Sequence, residues 1–175
     1  MKTIIKIIVI ACVMMVSTIN TFAQVTASAN ATATIVATLE IEKEVDMDFG
    51  NLSVNSVGGT CILSTASVRT PTVGVTLPSN VGTVTAAEFT VTGDPTYVYS
   101  IILPLTDLTI SNTTTPGFTM IVNAFNSDPT VAAGGVIGSG GTQTLYVGAT
   151  VIVEGDQEPG VYVSGTPFDV TVNYN

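Results

Sequence analysis

From Gln24 onward no window carries the three-and-four spacing of a helix. Short segments rich in Val, Ile, Thr and aromatic residues are separated by "GDP" at 93–95, "NTTTPG" at 112–117, "AAGGVIGSGG" at 132–141 and "EGDQEPG" at 154–160, all of them turn or loop sequences. The 8 prolines lie in the same region and further disfavour helices. These features predict an all-β chain, a sandwich or barrel without a linker that would split it. Strands are expected at 35–41, 45–49, 60–67, 74–77, 88–92, 97–103, 108–111, 118–125, 142–153 and 168–174. The Gly-rich stretch 134–141 reads as a flexible hairpin loop, since no Lys-Ser/Thr follows it and no helix begins there.

The longest alternation comes first. Val25, Ala27, Ala29, Ala31, Ala33, Ile35, Ala37, Leu39 and Ile41 form one apolar edge. As a single strand it would reach roughly 56 Å, about three times a typical strand. One domain has no use for all of it.

Upstream, Lys2 and Lys6 precede an apolar run from Ile7 to Val16, and a polar stretch leads to Thr21, Phe22 and Ala23. That layout predicts a secretory signal peptide over 1–23, cleaved after Ala23. The run is too short for a spanning helix, which needs about twenty apolar residues. "VIAC" at 9–12 has the letters of a lipoprotein cleavage box, but Cys12 interrupts the apolar core where an anchor cysteine follows it. No membrane insertion is expected once the signal is removed.

All 13 acidic residues stay in the exported chain, where Lys43 and Arg69 are the bases, so phosphate backbones and anionic lipid are repelled and nucleic acid is excluded as a partner. Cys61 is then the single cysteine, so the domain must hold together by packing and main-chain pairing without an internal disulfide. The sequence has no histidine, which removes the usual base for nucleophilic catalysis and the common zinc ligand sets. No enzyme activity, catalytic residue or cofactor is expected.

The carboxylates offer two candidate clusters. Asp46 and Asp48 share a strand face opposite Val45, Met47 and Phe49, a pattern that a solvated strand face explains. The loop with Glu154, Asp156 and Glu158 is better placed for a hard cation such as calcium, although it lacks the EF-hand pattern. "DFG" at 48–50 lacks every companion motif of a kinase and reads as a strand end. Tyr97, Tyr99, Ile101 and Leu103 share one face, which suits a sugar-binding platform or, since Ile and Leu continue the row, a core face.

At the other end, Phe168, Val170, Val172 and Tyr174 alternate with Asp169, Thr171 and Asn173. This segment resembles the last strand of chaperone-usher fimbrial subunits, whose incomplete immunoglobulin-like sandwich is completed by the N-terminal extension of the next subunit. "MDFGNL" at 47–52, "AAEFTVTGDPTYVYSIILP" at 86–104, "LYVGATVIV" at 145–153 and "QEPGVYVSGTPFDVTVNY" at 157–174 resemble the bacterial secreted family called domain of unknown function 4402, which is similar to spore-coat-U-like and common-pilus-like proteins. The resemblance covers most of the chain after the signal. It implies an immunoglobulin-like, pilin-like antiparallel β-sandwich exported to the periplasm or surface of a bacterium. It also implies self-association or pairing with other fimbrial subunits, with a periplasmic chaperone as a further partner.

Burial energetics divides the opening alternation on that basis. Fully buried Ile, Leu or Val contributes roughly 1.5–3 kcal/mol and an Ala methyl about 0.8. Ile35, Leu39 and Ile41 are therefore assigned to the domain's own first strand, giving a sandwich domain at 35–175. Val25, Ala27, Ala29, Ala31 and Ala33, in an extension at 24–34, form a lighter strip suited to a shallow groove in a neighbour, where main-chain bonds carry the affinity. The expected function is a structural subunit of a fimbria-like assembly that pairs by β-strand addition, with Val25 to Ala33 as donor and the last strand in the acceptor groove. The alternative is a monomeric surface or periplasmic binding module for glycans, using a loop end or the tyrosine face.

Overall fold

The computed structural model describes residues 3–8 and 24–175. Residues 3–8 are helical, whereas the expected cleavage after Ala23 and the cleavage-box cysteine Cys12 lie outside the described residues. Two compact units divide the chain, Met1–Ile35 and Val36–Asn175. Residues 24–35 of the first form no strand and are exposed.

The second unit is an antiparallel β-sandwich. Its strands are β1 (Glu40–Val45), β2 (Ser53–Val54), β3 (Gly59–Leu63), β4 (Arg69–Pro71), β5 (Val75–Thr76), β6 (Ala87–Thr92), β7 (Val98–Ile102), β8 (Leu108–Asn112), β9 (Thr119–Asp128), β10 (Gly135–Val136), β11 (Thr142–Val153), β12 (Tyr162–Ser164) and β13 (Thr171–Tyr174). The larger sheet runs β1-β6-β11-β9-β8-β12, with β3 also on β11 and β4 outside β3. A three-stranded sheet, β10-β7-β13, lies against it, and β2 and β5 form a separate pair.

Strand β11 organises both layers. Its first half pairs with β6, its second half with β3, and its other side with β9. Leu145, Val147, Ala149, Val151 and Val153 alternate inward and are all buried, each Val or Leu contributing roughly 1.5–3 kcal/mol. Leu145 and Val147 join Ala87, Phe89, Val91, Tyr99, Ile101, Leu103 and Ile137 in one core cluster, while Ala149, Val151 and Val153 join Cys61, Val75 and Val122 in a second. The strand thus carries one continuous apolar face through two cores.

Several expected strands shift, each for a local reason. Ile35 is 97% exposed and lies outside any strand, and β1 instead bridges the two segments expected at 35–41 and 45–49, with a register shift between Lys43 and Val45. Past that shift Val45 pairs with Glu88, and the segment 46–49 then makes only the single bridge between Asp48 and Thr85. Strand β9 runs past the expected end because a bulge absorbs its break in alternation: Ala124 takes φ 49°, which turns both Val122 and Phe125 toward the core. The Gly-rich stretch is no plain loop. Gly135 and Val136 pair with β7, Ile137 is a core residue, and a Cβ on Gly135 would overlap the Tyr99 ring. Only glycine lets β10 lie across that ring.

Truncation of Leu145→Ala should lower stability by about 2–5 kcal/mol, because the cavity opens where both sheets meet. Urea unfolding of the domain should show a lower midpoint with the slope retained.

Candidate functional site

Burial decides first what cannot react. Cys61 is fully buried, and burial pushes its thiol above the ordinary 9.0, offset in part by the positive charge of Arg69. It is a packing residue. Arg69 in turn donates from Nη1 to the carbonyl oxygens of Phe49 and Asn51, 2.8 Å each, so its role is to hold the chain after the first bridge. Among the described residues, no three His, Cys, Asp or Glu side chains are grouped to hold a metal ion.

The carboxylate candidates are accounted for individually. Asp46 pairs with Lys43 at 2.7 Å on the surface, and Asp48 accepts the amide of Gly50 at 2.7 Å, closing the turn in which Gly50 takes φ 65°. Met47 and Phe49 pack inward between them, the alternation of a solvated strand face. Glu154, Asp156 and Glu158 share a turn but are not drawn together. There the main-chain amide of Asp156 donates to Asn55 O at 3.2 Å, and the carbonyl of Glu158 accepts the Tyr162 hydroxyl.

The tyrosine face divides. Tyr99, Ile101 and Leu103 are buried in the first cluster, and Tyr99 Oη donates to Gln143 Oε1 at 2.8 Å, the same oxygen that accepts the Val136 amide. A platform for a sugar ring is therefore not presented by Tyr99. Tyr97 stays at the surface, edge-on to Tyr174 with ring centroids 5.7 Å apart. The hollow bordered by Glu40, Ile41, Glu42, Thr90 and Thr92 is an open surface depression rather than a pocket.

What remains is β13. Phe168, Val170, Val172 and Tyr174 are half-buried and pack against the first cluster, Phe168 lying 6.4 Å from Phe89 and 5.1 Å from Phe125 between ring centroids. β13 pairs with β7 from Thr171 opposite Ile102 to Tyr174 opposite Tyr99, and the Asn175 amide donates to Val98 O at 3.3 Å. In an antiparallel pair the bonds alternate along the strand. Residues 171, 173 and 175 therefore bond to β7, and the main-chain groups of Val172 and Tyr174 point the other way. No strand of the Val36–Asn175 unit pairs there, since β13 ends its sheet.

Other strand edges are blunted. β1 reads Glu-Ile-Glu-Lys-Glu-Val and carries the register shift, β4 is three residues ending in proline, and β10 and β12 are two and three residues long. Charge, bulges, proline and brevity all discourage edge pairing. β13 and its neighbours Val170 and Asn175 carry no charged side chain.

The sequence matches the family described as Domain of unknown function (DUF4402) over residues 39–174. The chain belongs to this family. No curated protein and no solved structure matches it. Among the described residues of this DUF4402 protein, no helix is long and apolar enough to cross a membrane.

Sequence reasoning singled out the residues of β13 but not the contacts that end it. Tyr174 Oη accepts the Asp94 amide at 2.7 Å and donates to Ala37 O at 3.1 Å, while the Ala37 amide donates to Asp94 Oδ2 at 3.2 Å. Asp94 was legible only as part of a turn; its partners lie far away in the chain.

Burial also pushes Tyr99 above its ordinary 10.0. Because both Cys61 and Tyr99 hold their protons more tightly when folded, their contribution is intact below about pH 9 and is lost as pH rises toward the raised folded values. Melting temperature should accordingly fall on the alkaline side, and Tyr99→Phe should flatten the limb above pH 10, as a thermal-melt series from pH 7 to 11 would measure.

Proposed function

We propose that this DUF4402 protein is an exported structural subunit of a fimbria-like assembly at the bacterial periplasm or surface, in which copies pair by β-strand addition. The donor is the strip Val25, Ala27, Ala29, Ala31 and Ala33, and the acceptor is the free edge of β13 with Phe168, Val170, Val172 and Tyr174 beside it. The observation that carries this reading is the unpaired, uncharged edge of β13 in a domain whose other edges are blunted.

The donor side supports it. Val25 is 91% exposed, and residues 24–35 hold no main-chain ladder of their own. Small alanine side chains let another backbone approach closely, and each main-chain bond formed contributes about 0.5–1.5 kcal/mol net. Partners on this reading are further copies or other fimbrial subunits, with a periplasmic chaperone covering the edge before assembly. The reading assigns the chain no catalytic chemistry.

Deletion of residues 24–33 should leave a folded monomer that no longer forms higher species on sizing or in micrographs; unchanged assembly would sink the donor role. Val172→Pro should act from the acceptor side. It removes an outward amide that β7 does not use, so circular dichroism should stay native while assembly is lost.

A further inference from the structure

Strand β11 carries a single aromatic side chain, Tyr146, and it faces outward with 37% of its surface exposed. The ladder sets an acid on each side of it, Glu88 on β6 and Asp128 on β9. Residues directly opposite one another share a face of the sheet, so the ring stands between two carboxylates.

A wall rises beside that ring because residue 148 is glycine. Gly148 lies on the same face two residues on, and a Cβ there would overlap the Leu63 carbonyl and crowd the main chain of Ser64 and Thr65. Its absence lets the turn between β3 and β4 pack directly on β11. The turn is pinned by main-chain bonds, from the Ser64 amide to Val68 O at 2.9 Å and from the Ser67 amide to Ser64 O at 3.0 Å. Ser67 Oγ also accepts the Ala86 amide at 2.8 Å. Thr65, Ala66, Ser67, Asp128 and Tyr146 line the resulting shallow hollow of about 340 Å³, within the roughly 300–1,000 Å³ of small-molecule sites.

The groups around this hollow are not used up by the fold. Among the described residues, no hydrogen bond or ion pair engages the Asp128 carboxylate or the Tyr146 hydroxyl, whereas the hydroxyls of Tyr99, Tyr162 and Tyr174 all bond within the domain. The Ser67 hydroxyl, having accepted the Ala86 amide, keeps its proton to donate.

We propose that this hollow is a binding subsite for one uncharged sugar ring. The Tyr146 ring takes the apolar face of a pyranose. The Asp128 carboxylate accepts two neighbouring sugar hydroxyls, in bonds stronger than those between neutral groups, and the Thr65 and Ser67 hydroxyls serve the far edge. With Glu88 and Asp128 both flanking the ring, anionic sugars are repelled. The hollow at Glu40, Ile41, Glu42, Thr90 and Thr92 has no aromatic side chain to take a ring face. The subsite lies on the larger sheet and β13 in the three-stranded one, so it goes beyond the assembly reading and does not depend on it.

Titration with the methyl glycosides of glucose, galactose, mannose and N-acetylglucosamine, followed by amide chemical shifts, tests this. At least one should give saturable shifts at millimolar concentration, centred on Thr65, Ser67, Asp128 and Tyr146. Tyr146→Ala and Asp128→Asn should each weaken binding about tenfold, the loss of one stacking contact or one charge-assisted bond. Tyr146→Phe, which keeps the ring, should retain binding, and Val172→Pro should bind as the unaltered protein does whether or not it assembles. No saturable shift with any of the four, shifts centred elsewhere, or undiminished binding by Tyr146→Ala overturns the subsite. Equal binding of glucuronate, or binding of glucosamine alone, overturns its assignment to an uncharged sugar.

Discussion

Main-chain pairing along β11 is the constraint on which the domain rests. On one side it pairs with β6 over Thr142–Val147 and with β3 over Ala149–Val153, on the other with β9 over Tyr146–Ile152, and its inward side chains run through both core clusters. A buried strand has to satisfy its amides and carbonyls somewhere. By meeting that demand in three strands at once, β11 fixes the register of each of them and brings segments from Gly59 to Val153 into one sheet. The domain has no internal disulfide, and Cys61 is a buried free thiol. Cohesion therefore comes from this ladder and the apolar face beneath it.

Polar groups within the frame are used with economy. Gln143 Oε1 accepts from both Tyr99 and Val136, linking β11 to β7 and β10 through one oxygen. Arg69 ties down the carbonyls after the bridge at Asp48, and Asn112 receives the amides of Thr114 and Thr115 at the end of β8. Among the described residues no buried side-chain nitrogen or oxygen lacks a partner. Such satisfaction leaves little freedom for rearrangement inside the sandwich. The unmet pairing capacity sits at its margin, where Val172 and Tyr174 turn their main-chain groups outward from a sheet of only three strands. An unpaired sheet edge is open to pairing with a further strand, the basis of the assembly proposed above.

Much of this was legible from residue order. β11 occupies 142–153 as expected, because its alternation is unbroken and glycine and acidic turns bound it. β6 and β8 came within a residue of their expected limits for the same reason. The short strands β2, β4, β10 and β12 were not legible, since two or three residues hold too little periodicity to stand out. At the candidate site, the alternation of Phe168, Val170, Val172 and Tyr174 marked a core strand. The hydroxyl of Tyr174, which bonds to Ala37 across the length of the chain, left no local mark.

By itself, then, the sequence determined the class of structure, the inward and outward faces of the long strands, the acidic surface and the absence of catalytic histidine, because side-chain period and composition are local properties. Tertiary structure decided that Ala37 is clamped and not laddered, that Gly135 lies on Tyr99, and that β13 keeps one side free. Those outcomes depend on which distant backbone arrives alongside, and a strand's own residues do not encode whether its second edge will be met.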